Sequence, residues 1–404
     1  VFDVRPTQNV DEFERAFLAI GQYFGTELTP ERIERFTQSL PLERMHAAFE
    51  NGNIVGGAGV FPFEFSVPGG SIRCAGVTVV GVYPTHRRRG VLRTMMRAQL
   101  DDIHERGEPI AALWASEESI YGRFGYGMAS ESGEIVLARE HSEYALPFEP
   151  QGRVRFLEPE EALDVLPSLW DAAFAETPGM FRRERPWWEH RTIADPPERR
   201  DGGGPKRFPV VEIDGKAEAY AIYRHNPSWE EGSSSAKLSV IEAIGATPRG
   251  TAEIWRFLLD IDWQATVESY LLPVDHPLFL LLAEPRRMKF RVGDGLWVRL
   301  VDVGAALSAR TYAQDGELVL DVIDEFAPWN AGRWKLSNGS CERTDDEADL
   351  RCDVTTLGSV YLGGFSFSQL FRAFRVEELR EGAIDRADAI FRRTSVAPWC
   401  PEIF

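Results

Sequence analysis

The densest chemical signal in this chain is the run Arg87, Arg88, Arg89, Gly90, Val91, Leu92 and Arg93. It follows Val80, Gly81 and Val82, the end of an apolar, β-branched stretch at 72–82 that reads as a buried strand. After it, Leu92, Met95, Met96, Gln99, Leu100 and Ile103 recur on successive helical turns, and Gly107 closes the helix. A helix start presents unpaired backbone N–H groups and the positive end of its dipole, which suits a pyrophosphate. Gly90 lets the backbone come close, and Arg88, Arg89 and Arg93 add cationic donors. A basic surface turn would carry the same charges, but a buried strand leading straight into the loop favours the anion site.

Two further groups could do chemistry. A short apolar run at 110–115 leads through Ser116 and Glu117 into Tyr121-Gly122-Arg123-Phe124-Gly125-Tyr126-Gly127. A phenol, with an ordinary pKa of about 10, stays protonated at neutral pH and can donate that proton. Packing of Tyr121 on the sheet, its hydroxyl satisfied by backbone, is the plainer alternative. The other group is the end of the chain, Trp399-Cys400-Pro401-Glu402-Ile403-Phe404. Chain ends normally fray and are polar, so an apolar end implies docking into the protein, as a plug or as part of a site. No metal is expected. Cys74, Cys341, Cys352 and Cys400 have neither disulfide nor zinc spacing, and the histidines form no H-x-x-x-H pair.

These groups need a scaffold. The N-terminal third alternates helix (10–24, then one opened by Thr29-Pro30) with strands at 45–49, 54–60 and 63–67, the first two joined by the hairpin signal Asn51-Gly52. Its final strand is expected at 134–137. A second unit begins near Gly152, with a strand at 154–156, a helix at 159–174 and strands at 208–213 and 217–223. Residues 240–250 and the helix through Trp255, Leu258 and Leu259 repeat the strand–loop–helix order without the arginine run. The last third changes character, with strand patterns at 296–303, 316–322 and 333–336 and an acidic stretch at 345–349 expected to be a solvated turn.

Composition bounds the partners. A chain of 404 residues predicts two or three domains, and 44% hydrophobic with 27% charged residues is globular. A net charge of −18 argues against nucleic acid and permits a cationic substrate. No run reaches the roughly 20 apolar residues of a membrane span. The first residues lack the features of a signal peptide, so a cytoplasmic location is expected.

The loop resembles the R-x-x-G-x-G/A signature of the GNAT superfamily of N-acetyltransferases, with Arg87, Gly90 and Leu92 in the defining positions and Leu92 where a small residue is usual. Tyr121 to Tyr126 resembles the superfamily's Y-x-[RK]-x-G-[FY]. The stretches VTVVGVYPTHRRRGVLRTMM, AALWASEESIYGRFGYG, GDGLWVRLVDVGAALSAR and LGSVYLGG are similar to those of the Eis (enhanced intracellular survival) family. That resemblance implies an α+β chain with two tandem GNAT-type domains, each a mixed sheet flanked by helices. The active one would span 1–145 and a degenerate one 146–290, followed by a sterol-carrier-protein-like domain at 291–404.

It also implies acetyl-CoA as cosubstrate. Val80, Gly81, Val82, Ser116 and Glu117 would meet it through backbone, and Arg87 through Arg93 would hold its pyrophosphate. Tyr121 would protonate the departing thiolate, and the C-terminal carboxylate of Phe404 would be the general base. The resemblance further implies a homohexamer that acetylates amines of polycationic molecules such as aminoglycosides. Tyr23, Phe24, Glu27, Phe36, Trp187, Trp188 and Glu402 lie in segments resembling the family's substrate pocket, where acidic and aromatic groups suit a cation. A protein-lysine acetyltransferase and a non-enzymatic, acetyl-CoA-sensing carrier of apolar ligands are the competing readings.

Overall fold

A computed structural model describes residues 2–25, 29–392 and 396–404. Its contacts divide into two compact units. The first comprises Val1–Ser130, Leu296–Thr394 and Ile403–Phe404, and the second Glu131–Gly295 with Ser395–Glu402.

The first unit is built on a seven-stranded sheet in the order Asp3–Pro6, Met45–Glu50, Asn53–Val67, Gly70–Val82, Ile110–Trp114, Leu296–Leu300, Gly127–Met128. Asn51 and Gly52 both take positive φ (51° and 79°), as a two-residue hairpin turn of this type requires. The strands expected at 54–60 and 63–67 are one strand, Asn53–Val67. Pro62 is tolerated because pairing with Met45–Glu50 ends at Gly59, so beyond it the strand is an edge. Asn9 caps the helix Val10–Phe24, accepting from the Glu12 N–H at 2.9 Å, and Thr29 caps Pro30–Thr37.

Cross-strand partners share a face of a sheet. Phe61 and Phe63 stand opposite Gly76 and Cys74, on the side where the backbone of Val10–Phe24 lies directly over Gly57 and Gly81. Val60, Ala75 and Val77 face the other way, under Met96, Leu100 and Ile103 of the helix Val91–Glu105. The same unit contains a five-stranded sheet (Ser340–Arg343, Gly332–Ser337, Glu317–Ile323, Leu350–Asp353, Val376–Glu378) with helices Val303–Ser308, Val354–Tyr361, Phe367–Arg372 and Ala383–Phe391. Asp349, expected in a solvated turn, is buried. It accepts from the Val319 N–H at 2.8 Å and pairs with Arg386 at 2.7 Å.

The second unit repeats the plan in another seven-stranded sheet: Arg291–Asp294, Glu131–Ala138, Thr266–Leu272, Lys237–Gly245, Lys216–Asn226, Phe208–Ile213, Arg153–Leu157. Helices Pro159–Glu176 and Pro248–Asp260 cover its two faces. The strand expected to finish the first domain, Glu131–Ala138, belongs to this sheet and pairs with Thr266–Leu272. Its place in the first sheet is taken by Leu296–Leu300. The backbone therefore changes sheets at 130/131 and 295/296, not at 145 and 290. Among the described residues no helix is long and apolar enough to cross a membrane.

Candidate active site

Gly70–Val82 and Ile110–Trp114 run parallel but pair only at Cys74–Ile110, Ala75–Ala111 and Gly76–Ala112. Beyond Gly76 the two strands part. The divergence coincides with a bulge, because Gly57 and Gly59 pair with Gly81 and Thr78, which leaves Val79 and Val80 opposite Ala58. Val79 has φ +46°, a left-handed conformation that a β-branched residue adopts only under local constraint. The bulge turns the backbone of Val80, Gly81 and Val82 out of register with the neighbouring strand and opens a slot there. At its end the Tyr23 hydroxyl donates to the Val82 carbonyl at 2.7 Å.

The slot leads to the start of Val91–Glu105. Gly90 occupies the N-cap with φ +89° and supplies no side-chain cap, and the first turn holds no acidic residue. The first N–H groups of this helix are thus left without side-chain acceptors, at the positive end of its dipole. A Cβ at Gly90 would meet nothing within 4 Å, so the approach is open. Arg87, Arg88 and Arg89 are exposed. Arg87 lies over the Tyr23 ring at 5.3 Å and Arg93 over Phe326 at 5.5 Å. Arg89 is committed to a two-point ion pair with Glu50 (Nη1 to Oε2 3.1 Å), which leaves Arg88 and Arg93 as the readier anion ligands. Val91 is buried, so only its backbone is available, and Leu92 tucks inward beside Val80 and Val82. These residues fit a pyrophosphate.

The second unit has the same strand–loop–helix order with the donors consumed. Only Ala246 and Thr247 separate Lys237–Gly245 from Pro248–Asp260, and the Thr247 side chain accepts from the Gly250 N–H at 3.0 Å. Gly250 itself is packed on the Glu218 backbone. This helix start is capped by its own Thr247, and its Gly250 N–H is buried and already paired.

On the first sheet, the helix Glu118–Tyr121 follows Ile110–Trp114, tightens into a 3-10 turn at Gly122–Phe124 and stops at Gly125, where φ is +86°. Tyr121 is 7% exposed and packs with Val60, Val77 and Met96 on the side of the sheet covered by Val91–Glu105. Burial, then the nearby charge of Glu117, pushes its phenol up to about 12, and a hydrogen bond from Ser116 opposes them. Ser116 and Glu117 are exposed just beyond the strand end. Tyr126 stands edge-on to Tyr121 at 6.1 Å, but at 1% exposure it is sealed in the core.

Phe404 is buried in the first unit, its ring edge-on to Phe63 at 5.0 Å. Phe63 covers Gly76, and the aromatic row continues through Phe61, Phe36 and Phe17. The structure thus brings Phe36 and Phe404 onto the face opposite Val91–Glu105. Phe24 is 66% exposed at the end of its helix, and Glu27 lies outside the described residues.

Trp187, Trp188 and Glu402 belong to the second unit, where a network not foreseen from the sequence holds them. Arg183 forms a two-point ion pair with Glu242 (3.1 and 2.6 Å) and reaches Glu402 at 2.6 Å, while the Trp187 indole donates to both Glu402 oxygens at 3.1 and 3.0 Å. Tyr220 donates to Glu242 at 2.5 Å. Trp188 is 1% exposed and packs in the core edge-on to Trp170. The Arg182-to-Arg191 segment is rich in both aromatics and arginines, which reads as a cation pocket, yet one of its arginines, Arg183, points inward at the buried Glu242.

Comparison with known proteins follows this geometry. Residues 3–129 and 179–300 match models of an acetyltransferase (GNAT) domain, and 303–401 a sterol carrier protein domain. An N-acetyltransferase of Streptomyces avermitilis described as uncharacterized is 40% identical over 95% of each chain. The N-acetyltransferase Eis of Mycobacterium tuberculosis is 31% identical over 96% of this chain and 95% of its own. The chain belongs to the Eis family of N-acetyltransferases. The crystal structure of Eis1 from Mycobacterium abscessus covers all of both chains at 33% identity, with a TM-score of 0.85. A GCN5-related N-acetyltransferase from Anabaena variabilis, 21% identical with a TM-score of 0.86 over both full chains, shares the fold. As an Eis-family chain this protein is an acetyltransferase of α+β architecture, and GNAT acetyltransferases use acetyl-CoA.

Proposed function

We propose that this enzyme transfers acetyl from acetyl-CoA to primary amines of polycationic small molecules such as aminoglycosides, with Tyr121 as general acid and the Phe404 carboxylate as general base. Backbone N–H groups of Val91, Leu92 and Arg93, with Arg88 and Arg93 side chains, hold the pyrophosphate. Val80, Gly81 and Val82 align the pantetheine arm. Acetyl-CoA supplies the activated acyl group. The Phe404 carboxylate takes a proton as the substrate nitrogen bonds to the acyl carbon, and Tyr121 gives its proton to the sulfur as the carbon–sulfur bond breaks. Tyr121 carries the assignment. A phenol raised to about 12 by burial beside the open slot keeps its proton at any physiological pH.

The net charge of −18 supports a polycationic acceptor. Family resemblance adds a homohexamer and a cytoplasmic site of action. The test combines CoA release across polyamines, aminoglycosides and basic peptides with mass counting of transferred acetyl groups. Tyr121→Phe, and separately amidation of the C-terminus, should each cut turnover at least about a hundredfold with acetyl-CoA binding intact. Full turnover in both would reject the roles. Transfer to peptides alone would make this a protein acetyltransferase.

A further inference from the structure

Tyr121 must hold its place at the slot, yet it sits at the end of a helix of four residues. What fixes it comes from the far end of the chain. Arg299, on the strand Leu296–Leu300, pairs with Ala111 and so faces the Tyr121 side of the sheet. It is fully buried and forms an ion pair with Asp324 at 2.6 Å, while its Nε and Nη1 have no hydrogen-bond partner among the described residues. The guanidinium lies against Gly125, where any Cβ would collide with it, so Gly125 is required by this approach as well as by its positive φ.

Asp324 is anchored in turn. It accepts from the Ala327 N–H at 2.9 Å and from Asn330 at 3.1 Å. Two residues on, Phe326 packs on Phe124 at 5.1 Å, and its carbonyl accepts from Arg97 of the cofactor helix, whose guanidinium lies over the Phe326 ring at 5.2 Å. Thr355 donates to the Gly122 carbonyl at 3.4 Å. One stretch of the C-terminal domain therefore grips both the loop that carries the acid and the helix that receives the cofactor.

We infer that the strand Leu296–Leu300 and the start of the sterol-carrier-like domain that follows it form a brace for catalysis, in which Arg299, Asp324 and Phe326 are positioning residues that fix Tyr121 relative to the helix Val91–Glu105. A buried ion pair is a poor source of stability, since apolar replacements of similar volume often match it. Its value here is orientation. The inference rests on Tyr121 being the acid.

The test is the full-length double variant Arg299→Met with Asp324→Leu, alone and combined with Tyr121→Phe. The expected result is a kcat about tenfold lower, an acetyl-CoA dissociation constant within about twofold of the parent, and no further loss in the Tyr121→Phe background. A purely structural role would lower the fraction folded and multiply with Tyr121→Phe. Full turnover, or multiplied losses, would overturn the inference. If Tyr121→Phe alone leaves turnover unchanged, the acid assignment fails and the brace falls with it. If Tyr121→Phe is crippled and the double variant is not, only the brace fails. Should the double variant not fold, Phe326→Leu leaves the ion pair in place and removes the ring from Phe124. The same non-additive loss is expected there, about threefold, and full or multiplicative turnover would be equally decisive against it.

Discussion

The ring of the last residue, Phe404, meets Phe63 edge-on at 5.0 Å with an interplanar angle of 78°. Phe63 is fixed by the sheet, because its cross-strand partner is Cys74 and its ring covers Gly76, the last residue before the two central strands part. The terminal ring is thus tied to the strand that opens the slot. Phe63→Leu stays apolar but loses ring volume, at a cost of about 1–2 kcal/mol, and loosens that tie. Turnover is expected to fall about tenfold with acetyl-CoA affinity unchanged. A terminus that merely plugs the core would lower the melting temperature and leave turnover per folded molecule intact.

The two helix starts make opposite predictions for one kind of substitution. Gly90→Ala meets open space but forces a left-handed conformation, costing about 1 kcal/mol, and should weaken acetyl-CoA binding measured by calorimetry. Gly250→Ala drives a Cβ into the Glu218 backbone. It should destabilise the second unit and leave acetyl-CoA binding as it was.

The raised phenol sets a pH profile. Tyr121 ionises near 12 in the folded chain against about 10 in the unfolded one, so burial favours the protonated form. Its contribution to stability is complete below about 10 and is lost between 10 and 12. In the proposed role Tyr121 therefore stays protonated across the working range. kcat, measured at saturating amine from pH 7 to 10.5, should show no alkaline loss attributable to Tyr121. A fall with an apparent pKa near 9 that vanishes in Tyr121→Phe would contradict it.

His276 predicts acid sensitivity in the second unit. It is buried edge-on to Trp255, its Nδ1 accepts from the Leu278 N–H at 3.2 Å, and burial holds it down to about 3. The unfolded chain, at about 6.5, binds the proton first, so stability present above 6.5 is lost as pH falls toward 3, at up to about 1.4 kcal/mol per pH unit. Chemical denaturation at pH 7 and pH 5 should show this loss. In His276→Gln the difference should shrink.

The anion loop was legible because its signal is local. Spacing alone places Gly90 at a helix start and Thr29, Pro30, Asn51 and Gly52 at caps and turns, and each of these sits as its chemistry requires. The motif around Tyr121 is local in the same way, short and contained within a single turn. The surroundings of Trp187 and Trp188 are not legible in this way, because an aromatic, basic segment looks alike whether its cations face solvent or, as with Arg183, a buried carboxylate 59 residues away in sequence.

Local composition therefore determined the elements and the duplicated plan, and it marks the loop proposed for the pyrophosphate. Tertiary structure alone decided which sheet each strand joins. Glu131–Ala138 and Leu296–Leu300 read as ordinary apolar strands, and a strand's own pattern fixes which face it buries but not which edge it pairs with. The bulge at Val79, the commitment of Arg89 to Glu50 and the seat of Arg299 beneath Gly125 are likewise long-range. Each depends on a partner that the neighbouring residues do not specify.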